Sequence, residues 1–600
     1  MLQKAERYYQ QEFISLSKKL EKYNSISSRI GITRLVLFIS IISGIWLFFY
    51  NTLWGIIGLF GAVIFVFVVV FDSKIKRRLE KLNAWRSILE DELNDDPTKR
   101  TLYDNGQSYL DKNHEYANDM DLFGKSSVFQ FINRCYSKSG CAVLSSWLLN
   151  PASPEDIIER QAAIAELSRK QLFRKEMGIS GVIGRGDFAG NESHWIGNAP
   201  MLKKLGKLKL LLLFFSGVNV TLLFLSIVNA TMVLPCIGFL TFSYFYIYSF
   251  QWHKIKYSYH NISKTDRGLR YFRSVIELIE KESFDSQMLL RIQAELKLNH
   301  ETGIGTIKSL QNIIQWTDLR LNFFYQIFVN AFFYTDIWLL FRIEKWKLLH
   351  GKQFLSWQKS IGQIEALQSL AVIYFNHPDW CLPAMSKNFH IKLENAGHPL
   401  IPDSTRVNNS YEASQTGVVD VLTGSNMSGK STFLRTLGVN IILALAGAPV
   451  CADKMLISSL KLMTCMRVQD DLHDRTSTFY AEIKRLKRIM IENEKESQSF
   501  FLLDEPLRGT NSNDKRAGSL AIMKNIIMQK SNAVIATHDV AIADLPQQFD
   551  ENIRKFYFDI KVNNGLMYFD FKLQKGLCKS SNAALLLNEI GVDISSENVF

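Results

Sequence analysis

Val418–Thr432 reads VVDVLTGSNMSGKST, and this stretch decides the fold. The apolar run Val418 to Leu422 has strand character and leads directly into Gly424-x-x-x-x-Gly429-Lys430-Ser431. The proline-free stretch Phe433 to Leu445 then has the make-up of a helix. Strand, glycine-bearing turn and helix in that order form a phosphate-binding loop. The glycines let backbone N–H groups turn inward around phosphate oxygens, and the helix N-terminus adds partial positive charge. Gly424, Ser425, Asn426, Met427, Ser428, Gly429, Lys430, Ser431 and Thr432 are therefore candidate nucleotide-binding residues. Lys430 is expected to reach the β/γ-phosphates of ATP, and the Ser431 hydroxyl to hold Mg2+.

Three downstream stretches supply the chemistry that such a loop needs. Phe500 to Glu505 is an apolar strand ending in two carboxylates, a Walker B pattern. There Asp504 is expected to bind Mg2+ and Glu505 to polarise the attacking water, because phosphoryl transfer relies on positioning and electrostatics. A strand ending in acids is often no more than solvated, but the pairing with the loop argues otherwise. The next apolar strand, Ala533 to Ala536, ends in Thr537-His538-Asp539. His538 can sense the γ-phosphate or orient water, which makes Lys430, Glu505 and His538 the candidate catalytic residues. Ser477 opens a helical segment, where a serine is ordinarily an N-cap; the same position can also bind a phosphate.

Around this core the chain is long and apolar. Its 600 residues are 47% hydrophobic and 21% charged, with a net charge of +12. That length predicts several domains, and that balance points to membrane segments plus an anionic partner, lipid or nucleic acid. The seven cysteines form no C-x-x-C pair, so neither a zinc site nor a disulfide framework is expected, and a reducing compartment fits. Residues 1–34 carry Phe13, Leu16, Leu20 and Tyr23 at helical spacing among lysines, an amphipathic cytoplasmic segment. The charge-free runs 35–50 and 53–71 form one tight hairpin of membrane-spanning length, and 210–228 with 231–250 a second. Arg29, Arg34, Lys74, Lys76, Arg77 and Arg78 flank the first; Lys203, Lys204, Lys207, Lys209, Lys254 and Lys256 flank the second. All flanks lie on one side, so both termini and the bulk of the chain are expected in the cytoplasm, at a cell (inner) membrane. A fifth apolar run, 321–341, contains Asp336 and is read as a buried helix of a soluble domain or one lying against the membrane. Long helices are expected over 276–296 and 361–373, and a turn-rich connector over 395–416.

At this level of detail the chain resembles the MutS family of ATPases. The resemblance is carried by TGSNMSGKSTFLRT (423–436), STFYAEIKRL (477–486), LLDEPLRGTNS (502–512) and ATHD (536–539), in order and spacing. Asn395-Ala-Gly-His398-Pro-Leu resembles the family's His-Pro element, which implies that His398 lies near the nucleotide base. Residues 122–167 resemble the start of the helical core and lever, 361–375 the returning lever helix, and 568–591 the C-terminal strand and dimerisation helix. Ser428-Gly429 stands where the family often has two glycines, and Pro506-Leu507 where it usually has Ile-Gly. The resemblance implies a homodimer sandwiching two ATPs, with Ser477 completing the partner's site in trans and Arg508-Gly509-Thr510 lining the seam. Only 34 residues precede the first hairpin, with no aromatic wedge, so mismatch recognition itself is not expected.

The expected architecture is an α/β ABC-type P-loop ATPase domain joined to a mainly α-helical core/lever region, with two transmembrane helical hairpins. Its divisions are 1–34, hairpin 35–71, helical region 72–209, hairpin 210–250, lever 251–394, ATPase 395–575 and dimerisation region 576–600. The expected activity is ATP hydrolysis by a dimer, coupled to DNA or an unknown protein partner at the inner membrane surface. The alternatives are a subunit of an ABC-like membrane machine or transporter, and a nucleotide-gated scaffold.

Overall fold

The structure is a computed structural model that describes residues 4–50, 52–94, 100–184, 205–297, 303–318, 325–425, 428–466, 478–493, 498–508, 510–539, 551–563 and 566–577. The chain divides into two compact units. One comprises Met1–Asp95, Cys135–Val143 and Lys170–Ala366; the other comprises Asp96–Arg134, Leu144–Arg169 and Leu367–Phe600.

The first unit contains helices and no strand among its described residues. Helices Lys4–Phe48 and Thr52–Glu92 run back along one another. Their contacts fall in antiparallel register: Gly44 against Gly58, Arg34 to Asp72 at 2.7 Å, and Trp85 Nε1 donating to Glu12 at 3.1 Å. Small residues let two helix backbones approach closely, and a Cβ added at Gly44 would lie 3.0 Å from Gly58 Cα. Helices Leu205–Val228 and Val233–Lys281 form a second such pair, joined by a short 3-10 turn at Ala230–Met232. Among the described residues four helices are long and apolar enough to cross a membrane: Ala5–Leu47, Thr52–Glu92, Lys207–Val228 and Ala230–His253. Much of their apolar surface points outward, including Phe38, Trp46, Phe60, Phe67, Leu213 and Phe245.

Two helical expectations need correction. The stretch 276–296 is not one helix: Val233–Lys281 ends at Glu282, whose backbone is extended, and Gln287–Lys297 begins anew. Lys170 holds the break, donating from Nζ to the Glu282 carboxylate at 2.8 Å and to the Ser283 carbonyl at 2.6 Å. Phe284 then packs edge-on against Phe173. Nor is 321–341 one helix. Its described part is a π-turn, Tyr325–Asn330, a short helical turn, Ala331–Phe333, and a break at Tyr334 with φ 52°. The 42-residue helix Thr335–Asn376 starts after it.

Among its described residues the second unit holds ten strands in two sheets. They are β1 (Ala384–Ser386), β2 (Ile391–Ala396), β3 (Asn409–Ala413), β4 (Val419–Thr423), β5 (Lys454–Ser458), β6 (Lys461–Cys465), β7 (Ser499–Asp504), β8 (Asn532–Thr537), β9 (Ile553–Asn563) and β10 (Leu566–Lys575). The larger sheet has the order β10-β9-β4-β8-β7-β6, parallel except for the β9–β10 hairpin. Every residue of β4, β7 and β8 is buried, which explains why these strands read as unbroken apolar runs. The smaller sheet, β1-β5-β2-β3, takes up part of the stretch expected to be a turn-rich connector. Its edge strand β3 is five residues long with alternating burial, too short for its period to stand out among the neighbouring turns.

Candidate nucleotide site

β4, β8 and β7 lie side by side and parallel, so their C-terminal ends meet along one edge of the sheet. A ligand crevice forms outside the carboxyl ends of strands in such a sheet. The turn after β4 is the Gly424–Gly429 loop, β7 ends at Asp504 before Glu505, and β8 ends at Thr537 before His538. Adjacency of the strands thus brings together groups far apart in sequence.

The loop is shaped by its two glycines. Gly424 and Gly429 have φ 147° and 98°, conformations that L side chains rarely adopt. Added Cβ atoms would meet Ser428 Oγ at 2.7 Å and the Phe571 ring at 3.0 Å. Lys430 begins the helix Lys430–Leu445 and is buried. Its ammonium folds back on the loop, donating to the Gly424 and Ser425 carbonyls at 2.7 Å each. Ser428 Oγ donates to the Ser425 carbonyl, while Ser425 Oγ is buried with no hydrogen-bond partner. Asn426, Met427 and Ser477 lie outside the described residues.

Ser431 Oγ donates to Asp504 Oδ2 at 2.6 Å, bridging loop and β7. Two adjacent oxygens of this kind are what a hard divalent cation takes as ligands, so the residues fit Mg2+. The cradle that a Cβ would fill and the unpartnered Ser425 hydroxyl likewise fit a phosphate group.

Glu505 has a left-handed backbone, φ 50°, and its N–H donates to the Ala536 carbonyl of β8 at 2.8 Å. The strained turn aims its carboxylate at the His538 ring, Nδ1 at 3.2 Å, and at two cations, Arg508 Nε at 3.4 Å and Lys515 Nζ at 4.0 Å. Burial pushes this carboxyl up, but His538, Arg508 and Lys515 outweigh burial and hold it below the ordinary glutamate value. Arg508 also reaches Asp504 at 3.7 Å. The next turn is fixed from another element. Leu507 is left-handed, φ 65°, at the position where the resemblance leads one to expect glycine, and its N–H donates to the buried Glu482 carboxylate at 2.6 Å. Burial raises the pKa of Glu482. Glu482 belongs to helix Thr478–Asn493, which Arg485 ties to Asp119 at 2.9 Å.

Thr432 occupies the helix's first turn. His398 lies in the turn that follows β2. It is half-buried and neutral, its pKa lowered to about 4 chiefly by burial, and its Nδ1 accepts from the Leu400 N–H. The charges that bear on it are Arg435, Asp121 and Arg406. Glu482, Lys515 and Phe571 escaped the sequence reading of the site. Glu482 lies inside a helical motif whose serine drew attention instead. Lys515 and Phe571 come from a helix and a terminal strand with no chemical signature of their own.

The residues 420–591 match the family described as MutS domain V. The chain is similar to the DNA mismatch repair protein MutS of Pseudothermotoga lettingae, 29% identical over 212 residues, which is 35% of this chain and 26% of that protein. The same-named protein of Thermotoga maritima is 29% identical over 238 residues, 39% of this chain and 29% of that protein. That of Persephonella marina is 29% identical over 229 residues, 37% and 26% of the two chains. The chain therefore spans less than a third of the length of these relatives.

Proposed function

This chain belongs to the MutS family through its domain V, a P-loop ATPase domain, and from that premise we propose that it is a membrane-anchored, dimeric ATPase of ABC type. The observation that carries the reading is the Ser431–Asp504 contact of 2.6 Å beside a Glu505 kept charged by His538, Arg508 and Lys515. Mg2+, when bound, neutralises phosphate charge at this place. The chain's own residues do the rest. Lys430 leaves the Gly424 and Ser425 carbonyls for the β/γ-phosphates, and the loop's backbone N–H groups orient the same oxygens. Ser431 and Asp504 hold the metal. Glu505 orients the attacking water and takes its proton, and His538 fixes the carboxylate rotamer. Arg508 stands at the mouth of the site, ready to meet a partner subunit.

In the dimer, Ser477 of each subunit reaches the other's nucleotide and 576–600 contributes to the dimer contact. The hairpins within 35–71 and 210–250 span the bilayer, with the ATPase domain on the cytoplasmic side of the inner membrane. The exposed aromatic and aliphatic surface of these helices supports that reading, since soluble monomers rarely leave such an area uncovered. Helix Lys4–Phe48 has 45 residues, about 68 Å at 1.5 Å per residue, more than twice a hydrocarbon core of ~30 Å. Its N-terminal half therefore stands in the cytoplasm. Helix Thr335–Asn376 has residues in both compact units and acts as the lever that carries ATP-driven closure to DNA or a protein partner.

The test is ATP hydrolysis by the full chain in nanodiscs, with Lys430→Ala alongside. Wild type is expected to hydrolyse ATP in a Mg2+-dependent manner and Lys430→Ala to lose it; equal rates overturn the assignment. DNA coupling predicts nucleotide-dependent DNA binding that weakens steeply with salt.

A further inference from the structure

The second helix pair contains polar groups at a depth where lipid would not tolerate them alone. Asn219 lies nine residues before the end of Leu205–Val228, about 14 Å at 1.5 Å per residue, and Ser243 ten residues into Val233–Lys281, about 15 Å. Both are buried, and both meet the same group. Asn219 Nδ2 donates to the Tyr334 hydroxyl at 3.0 Å, and that hydroxyl donates to Ser243 Oγ at 2.7 Å. Tyr334 thus sits level with the middle of the pair.

Its neighbours on both sides sit nearer the open end. Tyr248 is fifteen residues into its helix, about 22 Å from the tip. Asn330 Nδ2 donates to the Tyr248 hydroxyl at 2.8 Å, and that hydroxyl donates to Asp336 at 3.3 Å. Further along, Phe341 lies under Lys209, nineteen residues before the end of its helix and about 28 Å from the tip. The chain therefore approaches at Asn330, is deepest at Tyr334, and retreats through Asp336 to Phe341.

We propose that residues 325–341 form a re-entrant element, which enters the bilayer from the cytoplasmic side, turns at about mid-depth against the second hairpin and leaves on the same side. The proposal rests on the reading of that hairpin as membrane-spanning. Non-helical backbone is tolerated at such depth only when protein groups satisfy it. Here they do. The Tyr334 N–H donates to the Asn330 carbonyl at 2.8 Å, the Asp336 N–H to Asn330 Oδ1 at 3.0 Å, and the Ile337 N–H to the Tyr334 carbonyl at 3.0 Å. The carboxylate of Asp336 faces protein partners and is almost wholly buried. The outward face is apolar: Phe328 is 63% exposed and Phe333 45% exposed, and acyl chains are the cover that suits them.

The test places a nitroxide on a cysteine at Phe333, at Phe224 in the hairpin, or at Leu349, full-length in proteoliposomes, with labelled wild type subtracted. All three side chains are exposed, so the substitutions spare the packing. Collision with oxygen reports lipid, and collision with an aqueous nickel chelate reports water. The expected result is oxygen-dominated broadening at 333 and 224 and nickel broadening at 349 only. Nickel broadening at 333 with 224 still in lipid overturns the re-entrant element and leaves the hairpin standing. Nickel broadening at 224 overturns the hairpin itself, and the proposal falls with it.

Discussion

Replacing Glu505 by glutamine removes a base and a charge while keeping the shape of the side chain. A positioned general base contributes ~10²–10⁴-fold, which at 1.36 kcal/mol per tenfold is about 3–5 kcal/mol of barrier. Glu505→Gln is expected to lose hydrolysis by that factor and to retain ATP, since Lys430 and the loop glycines are untouched. The expected companion effect is an ATP-bound dimer that persists on size exclusion. The pH profile adds a sharper test. Burial raises the Glu505 pKa, and His538, then Arg508 and Lys515, pull it below its ordinary 4.5. Activity needs the carboxylate, so it falls as pH drops through a value below 4.5. His538→Ala removes the strongest opposition to burial, and the acid limb moves to higher pH. Steady-state phosphate release across pH measures both. Wild-type hydrolysis by Glu505→Gln, or an acid limb that stays in place in His538→Ala, would refute the assigned roles.

Three further outcomes follow from packing and charge. Asp420 on β4 is buried and held by Arg554 through two 2.7 Å bonds and by the Tyr411 hydroxyl at 2.6 Å; Arg554→Leu strands that carboxylate, and urea unfolding is expected to show a loss of about 3–5 kcal/mol, recovered in part by adding Asp420→Asn. Glu365, buried against Ser137 and Tyr271, has its pKa raised from 4.5 to about 6 chiefly by burial, so its contribution is fully present below pH 4.5 and lost as pH rises through 6; the unfolding free energy is expected to fall by about 1 kcal/mol between pH 5 and pH 7 in wild type, and less in Glu365→Gln. Gly44→Leu forces apart two helices whose backbones nearly touch, for about 1–3 kcal/mol, whereas Gly31→Leu projects into open space; thermal unfolding in detergent is expected to drop for the first and not the second.

The sequence alone determined the ATPase sheet and most of its chemistry. β4, β7 and β8 are buried on both faces, so each is a plain apolar run, and the functional groups follow at their ends: Gly424 to Ser431, Asp504-Glu505 and His538. Local rules of backbone and phosphate chemistry fix those positions before any long-range contact forms. The four long apolar helices were equally legible, because crossing length is a property of an unbroken stretch of chain. Tertiary structure decided what depends on separate segments meeting. The strand order put Ser431 beside Asp504 and His538 beside Glu505, and packing alone recruited Glu482 and Lys515 to hold the Walker B turn. It also broke 276–296 at Glu282. The clearest case is Tyr334. Asn330 satisfies the backbone of its left-handed turn locally, but the partners of its hydroxyl, Asn219 and Ser243, lie ninety residues and more upstream.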